Sequence, residues 1–427
     1  MLGRGWGLAV AVCLRLIAPG GCLARLAAPE PKPLAAGNLS RLGAGSSDGQ
    51  LSGCSRARRR DHAVLEKCIP CTLRGKQAPK LWMQETADGF GSRMHNIVAL
   101  MAFAAKHQMN FGGIVGYKAC NEKHFDNTHG EDIERLVAGV LGLDDPYDLF
   151  TDLEPFPARR VEGIDALLAK LKEGAYEPGM NVILTASSNN AMAVDLNAHG
   201  AVDYFSPTFL AALRSHDTPL ARVPLLFRPG RPSVALHVRR GDLFLEGNAS
   251  SRVTPDEWYF KILDHIEERF GETRPDIHVF TSLKGKPEMK QGPGRWVPRG
   301  RDGWKGGTMW QPGEWKNVYP LVHNTSEFDA YAQRGMTLHY DGDPLEAWAH
   351  FVHADVLLTA KSEFSYVPAL LSERCVVYQH FWLDPLPAWI HASDGNWLRR
   401  TKKKPEFWFE EAKLDACIDG IKSRLKA

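Results

Sequence analysis

The chain has 427 residues, of which 44% are hydrophobic and 24% are charged, and its formal net charge is +2 at pH 7. This composition is typical of a globular protein, and the length accommodates two domains of ordinary size. Two basic runs, at residues 56–60 and 399–404, are neither interleaved with aromatic residues nor part of a nucleic-acid-binding motif. We therefore interpret them as solvated surface or linker and expect no nucleic-acid partner.

The first 29 residues contain no acidic side chain, and a short apolar run extends from Trp6 to Leu14. Such a start predicts a cleavable secretory signal over residues 1–28, or a short signal anchor that would tether the chain to a membrane. An organelle transit peptide is the alternative, because it too bears arginine and lacks acidic residues. Sequons at Asn38, Asn248 and Asn324 favour the secretory pathway, and hence the lumen of the ER or Golgi.

Six cysteines lie beyond the expected signal, at Cys54, Cys68, Cys71, Cys120, Cys375 and Cys417. An even number permits three disulfides in an oxidising compartment. Cys68 and Cys71 would also suit half of a zinc site or a redox pair, but no second paired unit and no preceding thioredoxin-like strand are found. A disulfide or free-thiol role is therefore expected for this pair.

Hydrophobic periodicity predicts alternating strands and helices beyond a linker or stem at residues 29–67, which is rich in Gly, Ser, Arg and Leu. The predicted strands are residues 80–85, 114–115, 181–185, 234–238, 277–281, 337–340, 356–359 and 376–378. The predicted helices are residues 92–107, 131–143, 165–172, 255–270, 345–353 and 366–371. Repeated βα units predict parallel sheets covered on both faces, which we divide into domains at residues 68–228 and 229–427.

The stretch from His237 to Asp242, with the sequence HVRRGD, follows the apolar residues 233–236. Residues 254–257 have the pattern of a capping box with proline at the first helical position. The charged stretch is therefore predicted at the carboxyl end of a strand, where ligands bind in open α/β sheets. An arginine can hold a phosphate at two points, so a diphosphate is the expected guest. A structural Arg–Asp pair at the strand end is the alternative.

The HVRRGD stretch resembles the His-x-Arg-Arg-x-Asp signature of the fucosyltransferase superfamily (alpha-1,2, alpha-1,6 and protein O-fucosyltransferases). Residues 89–96, with the sequence GFGSRMHN, are similar to its glycine-rich loop and helix start. Residues 354–366 resemble its third motif, an apolar strand followed by Ser-x-Phe-Ser and an aromatic residue. The three segments occur in the order of the superfamily, and the resemblance spans roughly residues 80–382.

The resemblance implies an α/β fold with two Rossmann-like domains facing a cleft, the GT-B glycosyltransferase type. It further implies an inverting, metal-independent transferase without a resident cofactor, which moves fucose from GDP-fucose to a hydroxyl of a glycan or protein. Residues 284–318 interrupt the βα pattern and are predicted to be a long loop over the cleft. Its tryptophans, which either stack on sugar or pack within the protein, are Trp296, Trp304, Trp310 and Trp315.

By resemblance, Arg239 contacts the β-phosphate of the donor and stabilises the charge that develops on the leaving group. Arg240 and Asp242 would shape the same loop. His237 falls where the superfamily places a histidine near the guanine, although a buried strand-end histidine that holds backbone is the alternative. Glu246 follows the motif, one residue short of the spacing of the acidic base in the alpha-1,6 enzymes, and is the candidate general base.

Two further segments are expected to contribute to donor binding. Ser362 and Ser365 lie at a predicted helix start, where hydroxyls and free backbone N–H groups would complete the diphosphate clamp, unless they only cap the helix. Gly91, Ser92 and Arg93 would bring a second helix start to the cleft. Ser92 and Arg93 depart from the Gly-Asn-Gln form of protein O-fucosyltransferases. For this segment the resemblance therefore implies only a loop that faces the cleft, and no sugar or acceptor contacts.

Two alternatives to this function remain from the sequence. Asp341 and Asp343 form an Asp-x-Asp tripeptide after a predicted strand, as in metal-dependent single-Rossmann (GT-A) glycosyltransferases, which would use another nucleotide sugar. The tripeptide also suits a turn and helix start, because Pro344 follows it. The resemblance offers another role for Asp343, a contact with guanine, as an acidic residue of this region makes in the superfamily. The second alternative is a binding protein that keeps the fold without catalysis.

Overall fold

In a computed structural model of the chain, parallel strands form two sheets flanked by helices. The described residues are 78–84, 89–115, 133–143, 149–151, 157–185, 201–214, 218–241, 243, 252–283, 288–291, 295–298, 308–311, 315–318, 324–395 and 407–426. Residues Gln50–Ala427 group into one compact unit. The fold is α/β, as predicted, and is compatible with a Rossmann-like class. The division into two domains at residue 229 remains a prediction, as do the signal and the stem, which lie outside the described residues.

The first sheet has five parallel strands in the order β3-β2-β1-β5-β4. Its strands are β1 (Lys80–Gln84), β2 (Asn110–Val115), β3 (Phe150–Thr151), β4 (Ala158–Glu162) and β5 (Asn181–Thr185). The helices of this half are α1 (Phe90–Lys106), α2 (Ile133–Leu141), α3 (Gly163–Lys172) and α4 (Pro207–Arg214). Short 3-10 turns lie at Ala201–Tyr204 and Pro219–Arg222.

The second sheet has seven strands in the order β12-β7-β6-β13-β14-β15-β16, all parallel except the last pair. They are β6 (Ser233–His237), β7 (Asp276–Thr281), β12 (Thr337–Tyr340), β13 (Val356–Leu358), β14 (Cys375–Gln379), β15 (Ile390–Ser393) and β16 (Trp408–Phe409). The helices are α5 (Asp256–Phe270), α6 (Asp329–Gln333), α7 (Pro344–His353), α8 (Glu363–Leu371) and α9 (Glu411–Lys426), and a 3-10 turn lies at Thr325–Phe328.

Successive side chains of the second sheet enter two different apolar clusters. Ala235 and Leu357 point into a cluster shared with α1, α7 and α8, whereas Val234 and Val356 point into one shared with α5 and α9. This alternation follows from the two-residue period of a strand whose two faces are both covered. The first of these clusters also contains residues of the first sheet, so a continuous apolar core extends from one sheet to the other.

The 284–318 segment contains four short strands, which corrects the prediction of a long loop. They are β8 (Glu288–Gln291), β9 (Arg295–Pro298), β10 (Thr308–Gln311) and β11 (Trp315–Val318). β8 pairs with β11 and β9 with β10, both antiparallel, with Trp310 opposite Trp296. Tryptophan has a high β propensity, and this signal outweighs the glycine and proline that suggested a loop.

The capping-box prediction for α5 was also wrong. The helix begins at Asp256, and Pro255 at its cap position makes no side-chain cap hydrogen bond. The carboxylate of Asp256 is bound to Arg240 instead. The helix therefore begins two residues after Thr254, the residue that the pattern placed at its cap.

One disulfide is present among the described residues, between Cys375 of β14 and Cys417 of α9. It fixes the C-terminal helix to the second sheet. The other cysteines lie outside the described residues, so the pairing of Cys54, Cys68, Cys71 and Cys120 remains a prediction. None of the described helices is long and apolar enough to cross a membrane.

Three histidines, of which His278 and His350 are buried, form a cluster where β7, β12 and α7 meet. His278 Nδ1 lies 2.9 Å from His339 Nε2, and His350 Nε2 accepts a hydrogen bond of 2.9 Å from the backbone N–H of Leu226. Asp276 contacts the other ring nitrogen of His278 at 3.2 Å. Burial lowers the pKa of all three rings, that of His339 to about 4. The folded protein therefore holds this cluster neutral at pH 7.

Acidification is expected to destabilise the protein through this cluster. Below about pH 6.5 the unfolded chain binds protons at these histidines, whereas the folded chain resists protonation down to about pH 4 at His339. Stability is therefore present above pH 6.5 and lost as the pH falls, by no more than about 1.4 kcal/mol per pH unit and histidine. Urea unfolding between pH 7 and pH 4.5 measures this slope. It should be smaller in His339→Gln, and an unchanged slope in that variant would contradict the assignment.

Candidate functional site

The HVRRGD stretch begins in the interior strand β6, at the carboxyl edge of the seven-stranded sheet. His237 is the last residue of β6, and beyond it the backbone still bonds to the neighbouring chain, from Val238 N–H to Phe280 C=O at 3.0 Å and from Gly241 N–H to Ser282 C=O at 2.9 Å. Gly241 turns the chain with a φ of +57°. The strand end is therefore held rigidly, which suits a site that must position charged groups.

Arg240 is buried and bound within the protein. Its guanidinium pairs with Asp256 at the start of α5 and donates to the carbonyl of Arg239 at 3.1 Å. Asp256 also accepts a hydrogen bond from the hydroxyl of Tyr331 at 2.6 Å. The Arg240 guanidinium thus anchors the loop to α5 and does not face solvent.

Arg239 has a different environment from its neighbour. It is half-buried, and its Nη1 donates to the carbonyl of Lys361 at 3.4 Å, in the loop that follows β13. The Lys361 ammonium is itself fully buried and lies 2.6 Å from Asp394, a carboxylate with 2% exposure beyond β15. The ion pair of Lys361 fixes the loop against which the Arg239 guanidinium rests.

His237 is buried between two aromatic rings. Its ring centroid lies 5.6 Å from Phe351 and 5.3 Å from Phe364, and its backbone carbonyl accepts a hydrogen bond from Tyr259. Burial, and then the charge of Arg239, lower its pKa to about 3, so the ring is neutral at physiological pH. Nδ1 is buried without a hydrogen-bond partner in the described part of the chain. A buried nitrogen without a hydrogen-bond partner costs free energy, so this ring is held in place by the packing around it.

The starts of α1 and α8 lie against each other beside this edge. A Cβ on Gly91 would lie 2.5 Å from the backbone nitrogen of Phe364 and 2.6 Å from its Cα. His95 on α1 also reaches α8, with Nδ1 3.3 Å from Oε1 of Glu363. Two helix N-termini, each with a partial positive charge, therefore meet next to Arg239.

The two serines of the third motif use their hydroxyls locally. Ser362 caps α8 by accepting from Phe364 N–H at 3.3 Å. Ser365 is completely buried, and its hydroxyl accepts from Ala360 N–H at 3.1 Å. These contacts are the helix-capping alternative that the sequence left open. Both serines therefore shape the loop between β13 and α8.

Ser92 and Arg93 are both buried at the first turn of α1. A hydrogen bond from Ser92 helps to lower the pKa of Glu363, so this turn and the start of α8 share one polar cluster. Arg93 N–H bonds to Gly89 C=O at 3.1 Å and closes the first helical turn. The three motif segments, which are more than 100 residues apart in the sequence, thus converge in the fold.

The Asp-x-Asp tripeptide forms a turn and a helix start. Asp341, with a φ of +49°, accepts from the Ser282 hydroxyl at 2.7 Å and from Leu283 N–H at 3.1 Å. Asp343 caps α7 by accepting from Leu345 N–H at 2.8 Å and pairs with Arg135 at 3.0 Å. Both carboxylates are thus engaged by the protein. Among the described residues, no group of three or more potential metal ligands is close enough to hold an ion.

Two of the predicted site residues, Asp242 and Glu246, lie outside the described residues. Other residues of this site were missed by the sequence interpretation. The buried Lys361 and Glu363 stood within the third motif but were given no role. Asp394 could have been found only by predicting β15, whose exit carries the sequence Ser-Asp-Gly.

No known protein family and no curated protein matches this chain.

Replacement of Gly91 by alanine is expected to separate the starts of α1 and α8. The added methyl group would collide with backbone atoms of Phe364, which cannot turn away as a side chain would. Overpacking of this kind costs about 1–3 kcal/mol, measurable as a lower midpoint of urea unfolding. Gly89→Ala is the matched control, because its Cβ would meet no atom within 4 Å. Equal stability of the two variants would show that the close contact is not required.

Proposed function

We propose that this protein is an inverting, metal-independent glycosyltransferase that transfers a sugar, fucose from GDP-fucose, to a hydroxyl of a glycan or protein. The observation that carries the proposal is the convergence of Arg239 with the starts of α1 and α8 at the carboxyl edge of β6. This edge is where open α/β sheets bind nucleotides. A GT-B arrangement, in which the two sheets belong to separate Rossmann-like domains, is part of the proposal.

The charge distribution at this edge suits a diphosphate. Departure of a nucleoside diphosphate places negative charge on an oxygen, and that charge requires a metal ion or fixed positive groups. Arg239 provides a planar guanidinium, and the two helix starts provide backbone N–H groups with the favourable end of the helix dipole. Arg240 and Lys361 are both paired with carboxylates in the fold, so their charges are already balanced.

Separate observations support guanine as the nucleobase and the secretory pathway as the compartment. His237 lies at this edge between the rings of Phe351 and Phe364, and a histidine in this place agrees with the guanine contact that the resemblance implies. The disulfide between Cys375 and Cys417 supports an oxidising compartment such as the ER or Golgi lumen. The engagement of Asp341 and Asp343 within the protein disfavours the metal-dependent alternative.

Binding of GDP is the first test of this proposal. GDP should raise the melting temperature well above the effect of UDP, ADP or CMP, and the effect should persist in EDTA, because fixed cations replace the metal. A ligand that binds only the folded state at 100 times its Kd stabilises it by about 2.7 kcal/mol. A preference for UDP that depends on manganese would reject the proposal and return Asp341 and Asp343 to consideration.

Arg239→Lys should lose most of the turnover although the charge is retained. A lysine ammonium cannot bind a phosphate at two points, and it would sit differently on its stem. Loss of such a transition-state contact costs about 2–4 kcal/mol, or roughly 30- to 1,000-fold in rate. Sugar transfer is the measurement, with unfolding as a check that the fold survives. Arg231→Lys, an exposed position before the amino end of β6, is the control and should retain full activity.

A further inference from the structure

Glu363 is a carboxylate in an unusual place for an acidic residue. It is the first residue of α8, and only 14% of its side chain is exposed. Glutamates mostly lie on the surface and are almost never fully enclosed unless they are paired. Its Oε1 lies 3.3 Å from Nδ1 of His95, and the side chain of His95 is itself 1% exposed. A buried His–Glu pair therefore lies at the contact between α1 and α8.

The surroundings keep this carboxylate ionised. Burial by itself would raise the pKa of Glu363, but hydrogen bonds from His95 and Ser92 and the charge of Arg239 outweigh it, and the pKa is lowered. The start of α8 acts in the same direction, since a helix N-terminus favours negative charge. Because an ionised carboxylate only accepts hydrogen bonds, His95 Nδ1 is the donor. The group is therefore ionised at neutral pH, and it can accept a proton that a reacting hydroxyl gives up during the transfer.

The carboxylate lies beside the cation of the proposed phosphate site. Arg239 rests on the carbonyl of Lys361, two residues before Glu363, and the ring of Phe364 contacts His237. The charges of Arg239 and Glu363 interact. One edge of the sheet thus presents a cation, where a leaving group gains charge, and a carboxylate, where a hydroxyl must lose a proton. These are the two groups that an inverting displacement needs.

We propose that Glu363 is the general base of the transfer and that His95 is the residue that positions it, an inference that rests on the proposed function. The acceptor hydroxyl passes its proton to the Glu363 carboxylate while its oxygen forms the bond to C1 of the sugar. The bond between C1 and the phosphate oxygen breaks, and its electron pair leaves with GDP beside Arg239. Glu363 thereby takes the role that the sequence pattern assigned to Glu246.

Chemical rescue separates a base from a structural carboxylate. Glu363→Ala is expected to lower transfer to an acceptor hydroxyl by roughly 100- to 10,000-fold, while GDP still raises the melting temperature. Sodium azide is a nucleophile with no proton to lose, so it should restore GDP release from GDP-fucose in this variant and yield fucosyl azide. Glu373→Ala is the control, because Glu373 is 73% exposed and pairs only with Arg214 in the described part of the chain. It should behave as the parent protein does.

The pH profile tests the role of His95. His95→Phe keeps an aromatic ring against Tyr366 but removes the hydrogen bond to Glu363. The pKa of Glu363 should rise, so the acid limb of kcat/KM should move to higher pH. A merely structural defect would lower kcat/KM at every pH without moving this limb. An unmoved limb would overturn the positioning role.

The remaining outcomes distinguish this inference from the function on which it rests. If the parent protein neither binds GDP nor consumes GDP-fucose, the proposed function fails, and the inference fails with it. If the parent is active and Glu363→Ala keeps its rate, or binds GDP without responding to azide, only the inference is overturned. Glu363→Gln preserves the shape of the side chain. If both variants lose GDP binding, Glu363 belongs to the donor site and is not the base.

Discussion

The backbone of Gly91 lies directly against the backbone of Phe364, and this contact decides which groups surround Arg239. It brings the start of α1 to the start of α8 with no room for a Cβ. The burial of every residue of α1 from Phe90 to Ala104 fixes the direction from which the helix arrives. His95 and Glu363 meet only because of this approach. A site built on two packed helices is held more precisely than one built on loops.

Electrostatic balance at the sheet edge follows from the same packing. Arg240 and Lys361 are neutralised by Asp256 and Asp394, partners that enter from α5 and from beyond β15. Each of these cations would be too costly to bury alone, so the pairs are conditions of the fold. Arg239 contacts the backbone of Lys361 and the guanidinium of Arg240, and it is only half-buried. Two adjacent arginines of the same motif thus have different roles, one in the loop structure and one facing the site.

The sequence could predict the elements whose hydrophobic pattern is strong. The strands at Asn181–Thr185 and Thr337–Tyr340 have the predicted bounds, and α1, α5 and α7 differ from prediction by one or two residues at their starts. The four strands of 288–318 were missed, because residues rich in glycine and proline suggested a loop. β15 was also missed, and with it Asp394, because its sequence, Ile-His-Ala-Ser, contains only one β-branched residue and no clear alternation.

From the sequence alone, the α/β class and the position of the HVRRGD stretch at a strand end could be derived, because both depend on local periodicity and residue chemistry. The sequence could not show which polar groups form hydrogen bonds or ion pairs within the protein. Ser362, Ser365, Asp341 and Asp343 looked available for a ligand, yet local backbone groups and Arg135 engage them. Nor could it pair His95 with Glu363, which are 268 residues apart. Such pairings arise only when the chain packs, because burial decides which polar groups must find partners inside the protein.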